Sequence, residues 1–321
     1  MSTAYRTDLT RETSAEGAFV RQRSGFRDWV SVDGSTGYRA EPARYHLYVS
    51  LACPWAHRTI IVRKLKGLEH VISLSVVDPL RDERGWRFGT GAGPDGEPDP
   101  VAGRTFLSEA YFATDPAFEG RVTTPTLWDR ETGRVVSNES ADILRMLNTE
   151  FDEWGDSSVD LYPLDLRPEI DAVNERVYET VNNGVYKSGF ARTQEAYEAA
   201  VLPLFATLDE LEERLSGQRY LAGERMTEAD WRLFVTLVRF DAVYHYHFKC
   251  NLRRLTDYPN LSGHTRELFQ VPGVAETVNF DHIKRHYYMT HDSVNPTAIV
   301  PVGPKLDFRA PHGREHLPAS A

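Results

Sequence analysis

The spacing of apolar residues changes near residue 150, and this change limits the fold more than any other feature of the sequence. Before it, short apolar stretches typical of strands alternate with helical spacing, in the order β-α-β, a long loop, then β-β-α. After it, from Pro168 to about Arg285, the periodicity is helical. The first region therefore predicts a small four-stranded mixed sheet with helices on its faces, and the second predicts an all-helical domain. The expected fold class is α/β followed by all-α.

Local residue types place the elements of the first region. Gly67 is a suitable residue to follow a helix end, and Ser137 or Asn138 can cap a helix start. "RETG" suits a hairpin turn between two short strands. The predicted elements are a strand over 45–50, a helix from Cys53 to about Lys66, a strand over 71–77, a short helix from Leu107 to Ala113, strands in "TPTLWD" and "RVVS", and a final helix after "SN".

The second region predicts four helical segments. They lie near 168–187, 193–216, 227–246 and 258–270. Thr227 is predicted to cap the third segment, with Asp230 at the third helical position. The expected division of the chain is an N-terminal arm on the surface (1–43), a sheet domain (44–150), a linker (151–167), a helical domain (168–290) and a C-terminal tail packed on the body (291–321).

Composition narrows the class of protein. A length of 321 residues fits two domains. The net charge of −10 argues against non-specific binding to nucleic acid. No apolar run approaches the roughly 20 residues that a membrane helix needs. The polar N-terminus "MSTAYRTDLTRETSAEG" does not read as a secretion signal, so we expect a cytoplasmic protein without a membrane partner.

Cys53 is the main candidate for chemistry. It stands where a strand gives way to a helix, with Pro54 suited to the first helical position. Because free amides and the helix dipole favour an anion there, we expect a depressed thiol pKa and a nucleophilic thiolate. The alternative is a buried, inert cysteine that happens to precede a helix. Cys250 lies far away in sequence, and a reactive thiol plus a passive one is favoured over a disulfide.

The position three residues after Cys53 holds Ala56, so no disulfide can form within this turn. A mixed disulfide on Cys53 must then be released by an external thiol. The chain should therefore also contain a site for a small thiol molecule.

Two short motifs are candidates for that site. "VTTPT" places Pro125 at the opening of a strand, where a cis-proline would leave the backbone of Thr124 available to an extended peptide. In "SNES", Glu139 and Ser140 open a helix that can hold a carboxylate and an ammonium group. Arg121 and Trp86 are candidate partners for the rest of a γ-glutamyl tripeptide. Each residue taken singly is also explained by ordinary packing or surface charge.

The order of these motifs resembles the glutathione transferases, and more narrowly the glutathionyl-hydroquinone reductases of the Xi class. The motifs that carry the resemblance are "SLACPWAHR", "GRVTTPTLWD", "VSNESADI", "VNNGVYKSGFARTQEAY" and "DHIKRHYYMTHDSVNPTAIVPVGP". The resemblance implies a thioredoxin-like N-terminal domain joined to an all-helical C-terminal domain. It also implies a homodimer formed largely through the helical domain.

The resemblance further implies a reaction in which a glutathionyl-hydroquinone and glutathione give a hydroquinone and glutathione disulfide. Cys53 matches the nucleophile and Tyr186 the proton donor. Tyr244 and Tyr287 match tyrosines that lower the pKa of the thiol, although the neighbouring Tyr288 competes with Tyr287 for the match. Glutathione is implied as a cosubstrate, with no tightly bound cofactor. The positions that match the glutathione site are Trp86, Arg121, Val122, Thr123, Thr124, Glu139 and Ser140, with Thr124 standing where the family usually has valine.

Two other functions remain open on the residues alone. One is a general thioltransferase or dehydroascorbate reductase of the Omega type, which also uses a cysteine. The other is a transferase fold used as a non-catalytic binding module. We expect no metal site, because His245, His247 and Cys250 lack a suitable spacing on a helix.

Overall fold

The computed structural model describes residues 12–90 and 95–320. The first 11 residues of the predicted arm, residues 91–94 at the tip of the Gly/Pro-rich loop and the last residue of the tail lie outside the described residues. The described chain divides into two compact units. The first contains Arg21–Val159 and Thr277–Thr290, and the second contains Asp160–Glu276 together with residues 12–20 and 291–320.

The predicted N-terminal arm is not simply a surface segment. Two short strands, β1 (Val30–Ser31) and β2 (Tyr38–Arg39), pair in parallel within the first unit. Val30 and Ala40 are fully or almost fully buried there. Sequence periodicity could not reveal these strands, because two residues are too few to produce a repeating pattern.

The first unit is built on a four-stranded sheet with the order β4-β3-β5-β6. The two central strands, β3 and β5, are antiparallel, as are β5 and β6, whereas β3 and β4 are parallel. The predicted four-stranded mixed sheet is therefore confirmed. The strands are β3 (Tyr45–Val49), β4 (Ser73–Val76), β5 (Thr126–Asp129) and β6 (Arg134–Ser137).

Three helices of the first unit follow the predicted order: α1 (Pro54–Leu65), α2 (Ser108–Thr114) and α3 (Ser140–Thr149). Gly67, two residues after the end of α1, has a φ of 64°, as its predicted role requires. The predicted cap of α3 was wrong, because Glu139 occupies the cap position and its side chain accepts a hydrogen bond from the amide of Ala141 at 3.2 Å.

The second unit is helical, as predicted. Its helices are α4 (Arg167–Val177), α5 (Gly184–Phe190), α6 (Gln194–Gly217), α7 (Glu228–Arg239), α8 (His245–His247) and α9 (Pro259–Phe269). The capping box of Thr227 and Asp230 at the start of α7 is confirmed. Wide π-helical turns at Tyr178–Asn182 and Phe240–Tyr244 interrupt the first and third predicted segments.

The chain ends with one more helix and a long segment without regular structure. Helix α10 (Phe280–Thr290) belongs to the first compact unit, although the sequence assigned this stretch to the helical domain. Residues 291–320 belong to the second unit, where the buried Arg314 donates hydrogen bonds to the carbonyls of Leu215 and Gln218. In the part of the chain that the structure describes, the helices are too short or too polar to cross a bilayer.

Candidate active site

Cys53 occupies the cap position at the start of α1, with an extended backbone (φ −76°, ψ 120°) and Pro54 directly after it. Its side chain is partly exposed, and Sγ donates a hydrogen bond to the carbonyl oxygen of Thr124 at 3.3 Å. The carbonyl of Cys53 accepts a hydrogen bond from the amide of His57 at 3.0 Å, so the backbone of Cys53 is bonded to the first turn of the helix. The thiol is thus held between a helix start and the loop that precedes β5.

That loop has the conformation that the sequence predicted. The peptide bond between Thr124 and Pro125 is cis. The buried hydroxyl of Tyr111 fixes the loop, since it donates to the carbonyl of Thr123 at 2.9 Å and accepts from the Thr123 amide at 3.2 Å. Val122 packs into the core of the first unit. Contacts with the core therefore fix Val122 and the backbone of Thr123. The Cys53 thiol lies against the carbonyl of the next residue, Thr124.

The hydroxyl of Thr124 makes no hydrogen bond to any residue that the structure describes. The side chain is almost fully buried. A methyl group of valine would fill the same place without the loss of a hydrogen bond.

Glu139 and Ser140 lie together at the start of α3. One carboxylate oxygen of Glu139 caps the helix, and the other accepts a hydrogen bond from the hydroxyl of Ser24 at 2.9 Å. The Ser140 hydroxyl, which is buried, accepts from a guanidinium nitrogen of Arg58 at 3.5 Å. Ser24 and Arg58 were not predicted. Ser24 lies in a stretch without periodicity, and Arg58 reads as an ordinary charged position of a helix.

Trp86 is buried, with 5% of its surface exposed. Its ring stacks on His286 at 4.9 Å between ring centres. The Nδ1 atom of His286 lies 2.8 Å from the carbonyl of Pro79 and forms a hydrogen bond with it. Arg121 is partly exposed just before the cis-proline loop. The ring of Trp86 is thus packed against α10, and the Nε atom of Arg121 is buried although the residue as a whole is partly exposed.

Helix α10 brings Tyr287 into the same compact unit as Cys53. His57 of α1 and Thr277, three residues before α10, share a hydrogen bond of 2.7 Å, and Arg285 pairs with Asp95 at 2.6 Å. Tyr287 is buried, and Tyr288 is buried to the same extent. Burial alone consequently does not decide between these two tyrosines.

The other two predicted tyrosines meet within the second unit. Tyr186 on α5 and Tyr244 have ring centres 6.1 Å apart. Tyr244 is fully buried, whereas Tyr186 is partly exposed. The rings around them come from four separate stretches of the chain, and we call this set the aromatic cluster: Phe19, Tyr186, Phe190, Tyr244, Phe248 and His291.

Phe248 lies at the centre of the aromatic cluster. Its ring is 5.5 Å from Tyr186, 5.8 Å from Tyr244 and 5.8 Å from His291 between centres. Gly189 makes this arrangement fit, because a Cβ atom at that position would overlap the Phe248 ring. Neither residue was predicted, since a phenylalanine and a glycine in a helical stretch carry no functional signal of their own.

Models of the glutathione S-transferase N-terminal and C-terminal domains match residues 52–150 and 194–267 of this chain. The chain is 53% identical over 308 residues to glutathionyl-hydroquinone reductase YqjG of Escherichia coli (strain K12), covering 94% of each chain. It is 56% identical over 291 residues to glutathionyl-hydroquinone reductase PcpF of Sphingobium chlorophenolicum, covering 91% of each. The chain belongs to the glutathionyl-hydroquinone reductase family of Xi-class glutathione transferases.

Solved structures agree with this assignment. The glutathione-bound structure of YqjG from Escherichia coli superposes with a TM-score of 0.88, covering 91% of this chain and 96% of that one at 53% identity. A Xi-class transferase from Natrialba magadii superposes with a TM-score of 0.91, covering 95% and 97% at 50% identity. The resemblance drawn from the motifs, and the thioredoxin-like and helical fold that it implied, are confirmed.

The second cysteine of this Xi-class chain has an environment opposite to that of Cys53. Cys250 is fully buried, and neither cysteine is part of a disulfide. Burial raises the pKa of the Cys250 thiol far above its ordinary value, so this sulfur stays protonated. The predicted passive role thus fits Cys250, whereas Cys53 is partly exposed.

Two histidines of the same Xi-class chain lie against the aromatic cluster. The Nε2 atom of His247 is 3.1 Å from the Nδ1 atom of His291, and both rings are buried. Burial lowers the pKa of His247 to about 4, so its ring is neutral near neutral pH. Among the residues that the structure describes, no group of three or more His, Cys, Asp or Glu side chains could hold a metal ion.

Proposed function

We propose that this chain reduces S-glutathionyl-hydroquinones to hydroquinones with glutathione, and releases glutathione disulfide. The observation that carries the proposal is the partly exposed thiol of Cys53 at the start of α1, with the Thr124 carbonyl 3.3 Å away before a cis-proline. The two relatives described above are named for this reaction, and one of them has been solved with glutathione bound.

In the first step, the Cys53 thiolate attacks the sulfur of the bound conjugate. A bond forms between the two sulfur atoms as the bond between sulfur and the aromatic carbon breaks. The electron pair that stays on the carbon takes a proton, so the carbon is reduced from C–S to C–H while the sulfur atoms are oxidised to a disulfide. Carbon is a poor leaving group unless it is protonated, and Tyr186 is the proposed acid.

In the second step, glutathione attacks the mixed disulfide on Cys53. Its sulfur forms glutathione disulfide, the Cys53 thiolate is released, and the proton from the incoming thiol replaces the one given to the hydroquinone. The proposed glutathione site places Glu139 and Ser140 at the amino-acid end of the γ-glutamyl group. The remaining members of this site are Trp86, Arg121 and the backbone of Val122, Thr123 and Thr124.

Tyr244 and Tyr287 are proposed to favour the thiolate by hydrogen bonding. Removing either hydroxyl (Tyr244→Phe or Tyr287→Phe) should slow the alkylation of Cys53 near neutral pH. Tyr288→Phe is the matched control for Tyr287. An equal or larger effect at position 288 would move the proposed role to that residue.

Substitution of the two cysteines tests the proposal directly. Cys53→Ala should lower the turnover of a glutathionyl-hydroquinone by at least about 10³-fold, and Cys53→Ser should fail nearly as badly because a serine hydroxyl stays protonated. Cys250→Ala is the control and should stay within about twofold of wild type, because its sulfur is buried and protonated. Mass spectrometry after brief alkylation at neutral pH should find the label on Cys53. Full turnover by Cys53→Ala would refute the mechanism.

A general thioltransferase would use the same thiol and the same glutathione step. It differs in its substrate, because a mixed disulfide has a sulfur leaving group that needs no acid. Steady-state rates on a glutathionyl-hydroquinone and on a glutathione mixed disulfide, measured side by side, separate the two functions. A chain that turns over only the mixed disulfide is a thioltransferase.

We also propose that the protein acts in the cytoplasm as a homodimer formed through its helical unit. That unit exposes several large apolar side chains, among them Leu164, Leu202 and Leu252. Light scattering should give twice the 36.5 kDa mass of one chain. A mass of one chain at micromolar concentration would contradict the dimer, and fractionation of cells tests the location.

A further inference from the structure

Residues 12–20 form a compact turn with its own hydrogen bonds. Thr13 pairs with Phe19 in an antiparallel bridge. The amide of Ser14 donates to the carbonyl of Ala18 at 2.8 Å, and the amide of Val20 donates to the carbonyl of Glu12 at 2.8 Å. This segment belongs to the stretch that the sequence identified only as an arm. It has the internal bonding of a folded element.

The turn is attached to the junction between α5 and α6. The carbonyl of Gly17 accepts from the amide of Arg192 at 2.9 Å, and the carbonyl of Glu16 accepts from the hydroxyl of Thr193 at 3.1 Å. Thr193 is also the cap residue of α6. Gly17 has a φ of 81°, and a Cβ atom there would lie 2.9 Å from the Thr193 methyl carbon, so the close approach depends on glycine.

This attachment places Phe19 against Tyr186. Phe19 is 7% exposed, and its ring centre lies 6.5 Å from that of Tyr186 in a stacked arrangement and 5.5 Å from that of Phe190. Phe248 contacts Tyr186 at 5.5 Å. Three phenylalanine rings therefore pack around Tyr186. Phe190 lies on α5 and Phe248 in the loop after α8, whereas Phe19 comes from the turn of residues 12–20.

We propose that the turn of residues 12–20 positions Tyr186 for proton transfer, with Phe19 as the positioning residue. This inference rests on the proposed function, in which Tyr186 protonates the leaving carbon. A tyrosine hydroxyl moves with its ring, and small displacements of a catalytic group lower rates steeply. Reduction of a mixed disulfide needs no proton on carbon, so the turn should matter for conjugates of hydroquinones and not for mixed disulfides.

The test combines Phe19→Ala with Tyr186→Phe, which keeps the ring and removes the acid. In the wild-type background, Phe19→Ala should lower kcat for a glutathionyl-hydroquinone about tenfold, with KM and the rate on a mixed disulfide within about twofold. In the Tyr186→Phe background, Phe19→Ala should cause almost no further loss, because the group that it positions is gone. Phe19→Tyr should restore most of the rate. Val20→Ala, at a neighbouring exposed residue, should behave as wild type.

Each of the following results would overturn the inference. An equal loss from Phe19→Ala in both backgrounds would show that it does not act through the Tyr186 hydroxyl. If Phe19→Ala slowed the turnover of conjugates and of mixed disulfides equally, or slowed neither, Phe19 would not be a positioning residue for Tyr186. If Tyr186→Phe itself left conjugate turnover intact, the inference would fail while the proposed reaction stood. If the wild-type chain turned over no conjugate at all, the proposed function would be wrong, and the inference would fall with it.

Discussion

The surroundings of Cys53 and of Tyr186 are built in different ways. Around Cys53, helix ends and a cis-proline loop present backbone groups, and the key contact is to the carbonyl of Thr124. Around Tyr186, the contacts are between rings brought from distant parts of the chain. The first arrangement is encoded by short motifs, whereas the second depends on packing. We therefore expect substitutions near Cys53 to act on sulfur chemistry and substitutions near Tyr186 to act on carbon protonation.

The largest expected difference between the two regions comes from Tyr186→Phe. Turnover of a glutathionyl-hydroquinone should fall by about 10² to 10⁴-fold, because a positioned general acid contributes that much. Reduction of a glutathione mixed disulfide should stay within about threefold, since sulfur leaves without protonation. Steady-state kinetics on both substrates measure the contrast. Tyr246→Phe, at an exposed tyrosine, serves as the control. An equal loss by Tyr186→Phe on both substrates would contradict the expected difference between the two regions.

Gly189→Ala should have the next largest effect, and it tests packing in the aromatic cluster. The new methyl group would overlap the Phe248 ring, so the free energy of unfolding should fall by about 1–3 kcal/mol. Conjugate turnover should fall more than disulfide reduction does. Gly217→Ala at the end of α6 is the matched control, because a Cβ atom there meets no neighbour. Denaturant titration measures the free energy of unfolding of both variants. An undiminished stability for Gly189→Ala would show that Phe248 can move at little cost.

The smallest effect is expected from Ser24→Ala, which tests the region around Cys53. The loss of the hydroxyl that donates to Glu139 at 2.9 Å should raise KM for glutathione about two- to fivefold. Conjugate and disulfide reduction should change together, because both use glutathione. Ser35→Ala, at an exposed position of the same segment, is the control. A rise of KM with only one of the two substrates would contradict a shared glutathione site.

Much of the region around Cys53 could be predicted because its signals are local. A cysteine before Pro54, a proline at the opening of β5 and a glycine after α1 each adopt the predicted conformation. The cap of α3 was predicted one or two residues too early. Asn138, the alternative candidate, instead bonds the amide of Phe26 at 3.0 Å, and Ser137 accepts from the Glu139 amide at 3.1 Å. Asn138 is thereby bonded to a partner 112 residues away that local sequence does not reveal, whereas Ser137 bonds two residues along the chain, outside the first helical turn.

The sequence by itself determined the order of strands β3 to β6 and helices α1 to α3, the thiol at a helix start, the cis-proline and the family, since each follows from short motifs along the chain. Only the tertiary structure decided which rings surround Tyr186, that a turn of residues 12–20 reaches it, and that α10 joins the first compact unit. The physical reason is that local conformation follows from neighbouring residues, whereas ring packing depends on side chains more than 200 positions apart in the sequence, such as Phe19 and Phe248.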